Sequence, residues 1–252
     1  MNRFAIVRIG AYVACAGILG AVSVPAQAGM ITVSYTVDDG GNNTNPLNGL
    51  SALATFETSG NQLNILLKNT STGKPAGIGT AGSLLVSLGM NLPTGVTILS
   101  GNTAVVGPGS VGLGQWSSKA AGSSVAEEWA WTNAGGGDLL APYKQVITTS
   151  TGNQQLTRFG GGAANINGPF GGIAAKPVLA NIPGSQRAVS NSIQFVITLS
   201  GGLTDNQLSD LANGSIVEYG SDARYLRVPE PASVAILGLG AAALGFRRRR
   251  TA

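Results

Sequence analysis

Apolar and hydroxyl side chains alternate strictly through Ile31-Thr32-Val33-Ser34-Tyr35-Thr36-Val37, and the same period of two returns at Ile193, Phe195, Ile197 and Leu199. A strand points successive side chains to opposite faces, so this period predicts half-buried β-strands. Shorter runs predict further strands at 50–57, 62–68, 84–88, 96–99, 125–132, 143–149, 216–219 and 224–228. Between them lie clusters of Gly, Asn, Ser and Thr, the residues that turns demand. One helix is predicted after Thr204. That residue can cap it, Gln207 holds the capping-box position, Leu208 and Leu211 share a face, and Asn213-Gly214 can end it. Many short strands with one short helix predict an all-β fold, an antiparallel β-sandwich of jelly-roll-like type with the helix across one end, in a single domain. No repeat of fixed period points to a solenoid or propeller.

The two ends follow a different pattern. Arg3 and Arg8 precede an apolar run over 9–22, and Ala26-Gln27-Ala28 supplies an A-x-A cleavage site. Residues 1–28 therefore read as a signal peptide, with Ala26 and Ala28 as the peptidase site and Gly29 as the new N-terminus. Cys15 raises a lipoprotein reading, but Tyr12 stands where a lipobox carries Leu. At the other end, Val228-Pro229-Glu230-Pro231 leads into an apolar run over 232–246, and then into Arg247, Arg248, Arg249 and Arg250. Basic residues resist crossing a membrane, so this order reads as a stop-transfer element. At about 1.5 Å per residue the run reaches roughly 22 Å, short of a hydrocarbon core of about 30 Å. It suits a transient anchor beside a Pro-Glu-Pro that cannot join the helix.

This three-part tail resembles the PEP-CTERM sorting signal of exosortase substrates in Gram-negative bacteria. Pro229, Glu230, Pro231 and Arg247 to Arg250 carry the resemblance, which covers about a tenth of the chain. With the readings above, the chain divides into a signal peptide at 1–28, an exported β-sandwich domain at 29–227, and a sorting signal with a transmembrane helix at 228–252. The resemblance further implies signal peptidase and exosortase, a membrane-embedded cysteine transpeptidase, as processing partners. The chain would be held transiently in the inner membrane and end at the cell surface or in the extracellular matrix, with exopolysaccharide and biofilm as its setting. Val37-Asp38-Asp39-Gly40, the Trp-bearing middle and Val217-Glu218-Tyr219-Gly220 are in turn similar to a surface-protein family noted for a hydrophobic-Asp-Asp motif. That resemblance implies no activity.

Charge and composition narrow the body. The whole chain has a formal net charge of +4, but six arginines sit in the targeting segments. Between Gly29 and Pro229 there are five Lys and four Arg against ten acids, a net charge of about −1. No basic patch points to nucleic acid. The single Cys lies in the leader and the chain has no His. The body thus has no disulfide, thiol nucleophile, Ser-His-Asp triad or histidine base.

Four features could carry function. Asp38, Asp39 and Asn43 flank Gly40-Gly41 after a strand, an oxygen set that suits a Ca²⁺ loop and equally an ordinary hairpin turn. No other cofactor is indicated. Read as a strand, Glu127-Glu128-Trp129-Ala130-Trp131 places Glu127, Trp129 and Trp131 on one face. With Trp116 these residues form either a sugar-stacking platform or part of the core. Glu127 and Glu128 point oppositely and cannot form a glycosidase pair. Asn-x-Ser/Thr occurs at Asn42, Asn69 and Asn213, and in a bacterial chain reads as incidental. The Gly clusters at 135–137, 160–162 and 171–172 read as surface loops, without the spacing of a phosphate-binding loop. The functional expectation is a non-enzymatic surface or matrix protein. A carbohydrate-binding or adhesin module is the alternative, and a polysaccharide hydrolase or lyase comes third.

Overall fold

The computed structural model describes residues 29–41, 49–74, 81–135, 140–150, 156–164, 166, 168, 170–179, 181–220 and 224–230, with backbone alone at 38–41. The expected signal peptide with Ala26 and Ala28, Asn42 and Asn43, Pro231, the apolar run 232–246 and Arg247 to Arg250 lie outside these residues. Along the chain the strands are β1 (Met30–Tyr35), β2 (Val37–Gly41), β3 (Ala52–Ser59), β4 (Gln62–Asn69), β5 (Leu85–Met90), β6 (Ile98–Val106), β7 (Gly112–Gly114) and β8 (Ala130–Thr132). There follow β9 (Gln145–Thr148), β10 (Thr157–Arg158), β11 (Ile173–Ala174), β12 (Arg187–Ser190) and β13 (Ser192–Leu199), then the helix α1 (Asp205–Asn213), β14 (Ile216–Tyr219) and β15 (Arg224–Arg227). Among the described residues no helix is long and apolar enough to cross a membrane.

Two sheets result. One is wholly antiparallel, in the order β1-β3-β4-β13-β6. Its β3–β4 hairpin closes over Gly60-Asn61, and Gly60 takes the positive φ of 61° that a type II′ turn requires at its first central position. The second sheet runs β10-β8-β9-β5-β11-β12-β7, with β14, β15 and β2 joined through β5; its β11–β12 pair is parallel. β5 is the branch point, bonding β9, β11 and β14, and all six of its residues are buried.

Period-two burial explains how the sheets meet. Ala52, Ala54, Phe56, Leu63, Ile65, Leu67, Ile193, Phe195 and Ile197 are buried at alternate positions of the first sheet. They share one apolar cluster with Leu85, Leu88, Ile147, Val217 and Tyr219 of the second. α1 seals part of this cluster with Leu208, Leu211 and Ala212. Its capping box forms as predicted: Thr204 Oγ1 accepts from the Gln207 N–H at 3.3 Å, and Gln207 Oε1 accepts from the Thr204 N–H at 3.0 Å.

Three expectations are corrected. The run 31–37 is two strands in different sheets, parted at Thr36, whose N–H donates to Arg227 O at 3.2 Å. Alternation continues unbroken through the switch, so the period conceals it. Asp38 and Asp39 are in strand β2, paired with β15, where a turn or ion-binding loop was expected. The run 125–132 is a strand only from Ala130; Ala126–Glu128 is a 3₁₀ turn, closed by the Glu128 N–H on Val125 O at 3.1 Å.

Two predictions follow from this core. Trp129 is fully buried with its ring 4.9 Å from that of Phe195, so Trp129→Ala should cost about 3 to 5 kcal/mol in urea unfolding; a loss under about 1 kcal/mol would contradict its core position. Burial pushes the Tyr35 and Tyr219 phenols well above the ordinary tyrosine value of about 10, with hydrogen bonds to Ser215 and Ser71 pulling partly back. A raised folded pKa keeps the stabilisation whole below the unfolded value and erodes it above. Unfolding free energy should therefore decline beyond about pH 10, by roughly 1.4 kcal/mol per pH unit for each such tyrosine. Tyr35→Phe should make that decline shallower; an unchanged slope would contradict the assignment.

Candidate functional site

The first candidate lies where the described fold ends. β15 is an interior strand, bonded to β14 and β2. After its last residue, Arg227, the chain passes Val228, partly buried against the core, and reaches Pro229 and Glu230, both exposed. Pro229 has no N–H to continue a ladder. Arg227 Nη1 lies 3.6 Å from Glu230 Oε1, with the Arg227 side chain part-exposed and that of Glu230 largely in solvent, a contact worth little in water. A carboxylate next to a proline is thus presented within three residues of a paired strand.

The tryptophans are placed differently from a stacking platform. Trp116, Trp129 and Trp131 are 4%, 0% and 8% exposed, so their ring faces are spent on packing. The Trp129 Nε1–H donates to Gly171 O at 3.0 Å. Lys119 Nζ stands 5.1 Å from the Trp116 ring centre and 3.0 Å from Glu127 Oε1. Glu128 is paired instead with Arg187. The 3₁₀ turn breaks the period-two register on which a shared Glu127–Trp129–Trp131 face depended, and the two carboxylates are drawn to separate cations. Among the four proposed sugar contacts, Trp131 lines a concave site.

That site is a cavity of about 340 Å³ bounded by Leu99, Ser100, Gly101 and Asn102 of β6, Trp131 of β8, Thr157 and Arg158 of β10, and Gly160 and Gly161. Gly101 is required there, since a Cβ would stand 2.5 Å from Trp131 Cδ1 and 2.6 Å from Nε1. Sequence reading missed this site: Arg158 sits in a two-residue strand with no periodicity, and Gly160-Gly161-Gly162 carries only a loop signal. β10 bonds β8 through Thr157 and Trp131, and so joins residues far apart in sequence.

The remaining sequence candidates resolve locally. Among the described residues no group of three or more Asp, Glu, Cys or His is placed to hold a metal. Asn69 is buried as a structural hub. Its amide donates to Ser83 O at 3.1 Å and Ile173 O at 2.7 Å, while its Oδ1 accepts from the Ser71 N–H at 3.0 Å and the Tyr219 hydroxyl at 3.3 Å. Such a side chain is no glycan acceptor. Glu218 is buried in β14 and accepts from the Ser87 hydroxyl at 2.6 Å, a polar link inside the second sheet.

Comparison with known proteins bears on the first candidate alone. Neither a curated protein nor a solved structure matches the chain. Residues 227–250 match the family described as the PEP-CTERM protein-sorting motif, beginning at the last residue of β15 and taking in Pro229, Glu230, Pro231 and all four terminal arginines. The chain therefore carries a PEP-CTERM sorting signal, the mark of an exported protein that passes through the membrane and is processed by exosortase.

Proposed function

We propose that this is a non-enzymatic surface or extracellular-matrix protein whose body, residues 29–227, is a β-sandwich delivered to exopolysaccharide. Signal peptidase removes residues 1–28 after Ala28. The segment 232–246 holds the chain in the inner membrane as a short helix, with Arg247 to Arg250 on the cytoplasmic side. Exosortase then cuts at Pro229-Glu230-Pro231 and releases the body to the cell surface or matrix. The observation that carries this reading is the sorting motif starting where β15 ends, with Pro229 and Glu230 exposed. A cut there spares every described strand pair, so trimming need not unfold the body.

The composition supports the non-enzymatic part. A body with neither His nor Cys lacks the side chains that most often supply general base or nucleophile at neutral pH. The adjacent carboxylates Glu127 and Glu128 are committed to Lys119 and Arg187. The alternative of a carbohydrate-binding module on an exposed Trp platform loses its surface with the burial of the three indoles.

Glu230 offers the sharpest test. It is exposed, outside the apolar run and, among the described residues, paired with Arg227, so Glu230→Ala should leave folding and membrane insertion unchanged. Trimming should fall, and the uncut chain should collect in the inner-membrane fraction, as read by immunoblot of fractionated cells. Normal release of Glu230→Ala would show that the carboxylate is not recognised, and release from cells lacking exosortase would refute the processing route.

A further inference from the structure

The two edges of the first sheet are finished differently. Along β6 the outward-facing backbone is answered: the Ile98 N–H donates to Asn133 Oδ1 at 3.1 Å, and Gly101 O accepts from the Gly160 N–H at 2.8 Å. Ala104 O accepts from the Val125 N–H at 2.9 Å, and Val106 bonds Ser123 O at 2.9 Å and the Gly122 N–H at 2.8 Å. That edge is closed. Along β1, the Thr58 N–H on Gly29 O and the register Met30↔Glu57 fix which groups face β3. Bonded pairs alternate in an antiparallel ladder, so Ile31, Val33 and Tyr35 spend their backbone on β3, while Met30, Thr32 and Ser34 turn theirs outward. Thr36, next in the outward series, bonds Arg227 O, but the N–H and C=O groups of Met30, Thr32 and Ser34 have no partner among the described residues. The chain leaving β15 does not supply one, since Pro229 brings no N–H and Glu230 is exposed. Proteins usually block an open edge with charge, proline or a bulge. Met30-Ile31-Thr32-Val33-Ser34-Tyr35 has none of these.

We propose that β1 pairs antiparallel with β1 of a second copy of this chain, about a two-fold axis at Thr32. Strand addition takes its affinity from main-chain bonds and its choice of partner from side chains. With Thr32 opposite its own counterpart, Met30 meets the partner's Ser34, and each of these pairs exchanges both N–H···O bonds. The side chains suit that register. On the outer face Thr32 already bonds Thr55 at 2.9 Å, hydroxyl to hydroxyl, and the axis extends this into a run of threonines across the joint. Met30, 71% exposed, lies over the partner's small Ser34. On the inner face Ile31, partly buried at the margin of the core, comes opposite the partner's Val33 and is covered. No charge lies on β1, so a second copy meets no like charge along the strand, and a charged peptide finds none to match. With β6 closed, the first sheet has one such strand per copy, and pairing through it stops at a two-fold dimer. The joint is small beside the about 1,200–2,000 Å² of a stable interface, so pairing is weak in dilute solution and grows where copies crowd together.

The pairing belongs to the folded body and needs neither the tail nor export, so it holds or fails apart from the processing route. A cysteine on the axis tests it. Hydrogen-bonded partners stand about 5.5 Å apart between Cα atoms, inside the roughly 4.4–6.8 Å that a disulfide spans. The full-length chain in detergent carries Cys15→Ser, which leaves the introduced thiol alone, and is oxidised with copper-phenanthroline. Thr32→Cys should give a disulfide-linked dimer on non-reducing gels, in excess of Thr103→Cys by about tenfold or more, because a paired strand holds the two thiols at high effective concentration. Thr103 is also exposed, but on the closed edge. Ser34→Pro removes an outward N–H that the fold does not use, and should bring Thr32→Cys down to the Thr103→Cys level with the melting temperature little changed. Crosslinking of Thr32→Cys no better than that of Thr103→Cys, or undiminished crosslinking with Ser34→Pro, would overturn the proposal. If Ser34→Pro folds poorly, Met30→Pro serves in its place, since the first residue of a strand tolerates proline and Met30 is the partner of Ser34 across the joint: lost crosslinking supports the pairing and undiminished crosslinking opposes it.

Discussion

The apolar cluster between the two sheets is what the rest of the molecule depends on. The body has no cysteine, so no covalent link offsets chain entropy, and the driving force must come from burial. Phe195 stands at its centre, on a strand flanked by β4 and β6, with Trp129 4.9 Å and Phe159 5.3 Å away. These rings bring together the first sheet, the strand-entry turn at Glu128 and the glycine-rich hairpin after β10. The cavity at Trp131 therefore has a rigid wall, because one indole fills the core and its neighbour two residues on lines the cavity.

The same need for burial extends to both ends of the described chain. Gly29 already takes part, its carbonyl accepting from the Thr58 N–H at 2.9 Å, and β15 is paired on both sides up to Arg227. A body ordered so close to its termini leaves little slack between fold and targeting segments. A cut at either place would trim without touching the described strand pairs.

Much of this was legible in the residues. The strict alternation of 193–199, the separate strands over 50–57 and 62–68 and the capping box of Thr204 and Gln207 each follow from local chemistry, and each is found in place. The strand switch at Thr36 was not legible, because a period of two says which residues face inward but not which sheet they face from. Glu127 and Glu128 were misplaced for a related reason: their neighbours alternate acceptably, and only Lys119 and Arg187, distant in sequence, disclose the turn. β6 runs through Gly101-Asn102, residues that read as a turn, since Gly101 is there to admit the Trp131 edge. The sorting signal was fully legible, because its order of rigid, apolar and basic parts needs no tertiary context, whereas the Trp131 cavity needs β6, β8 and β10 side by side.

The central claim is that a folded β domain is exported, cut at both ends and left outside the cell. Intact-mass measurement of the protein recovered from the cell surface and matrix tests it most directly. The account predicts a species that begins at Gly29 and ends within the Pro229-Glu230-Pro231 segment, without Arg247 to Arg250. A surface species whose mass still includes the apolar run and the arginine cluster would contradict it.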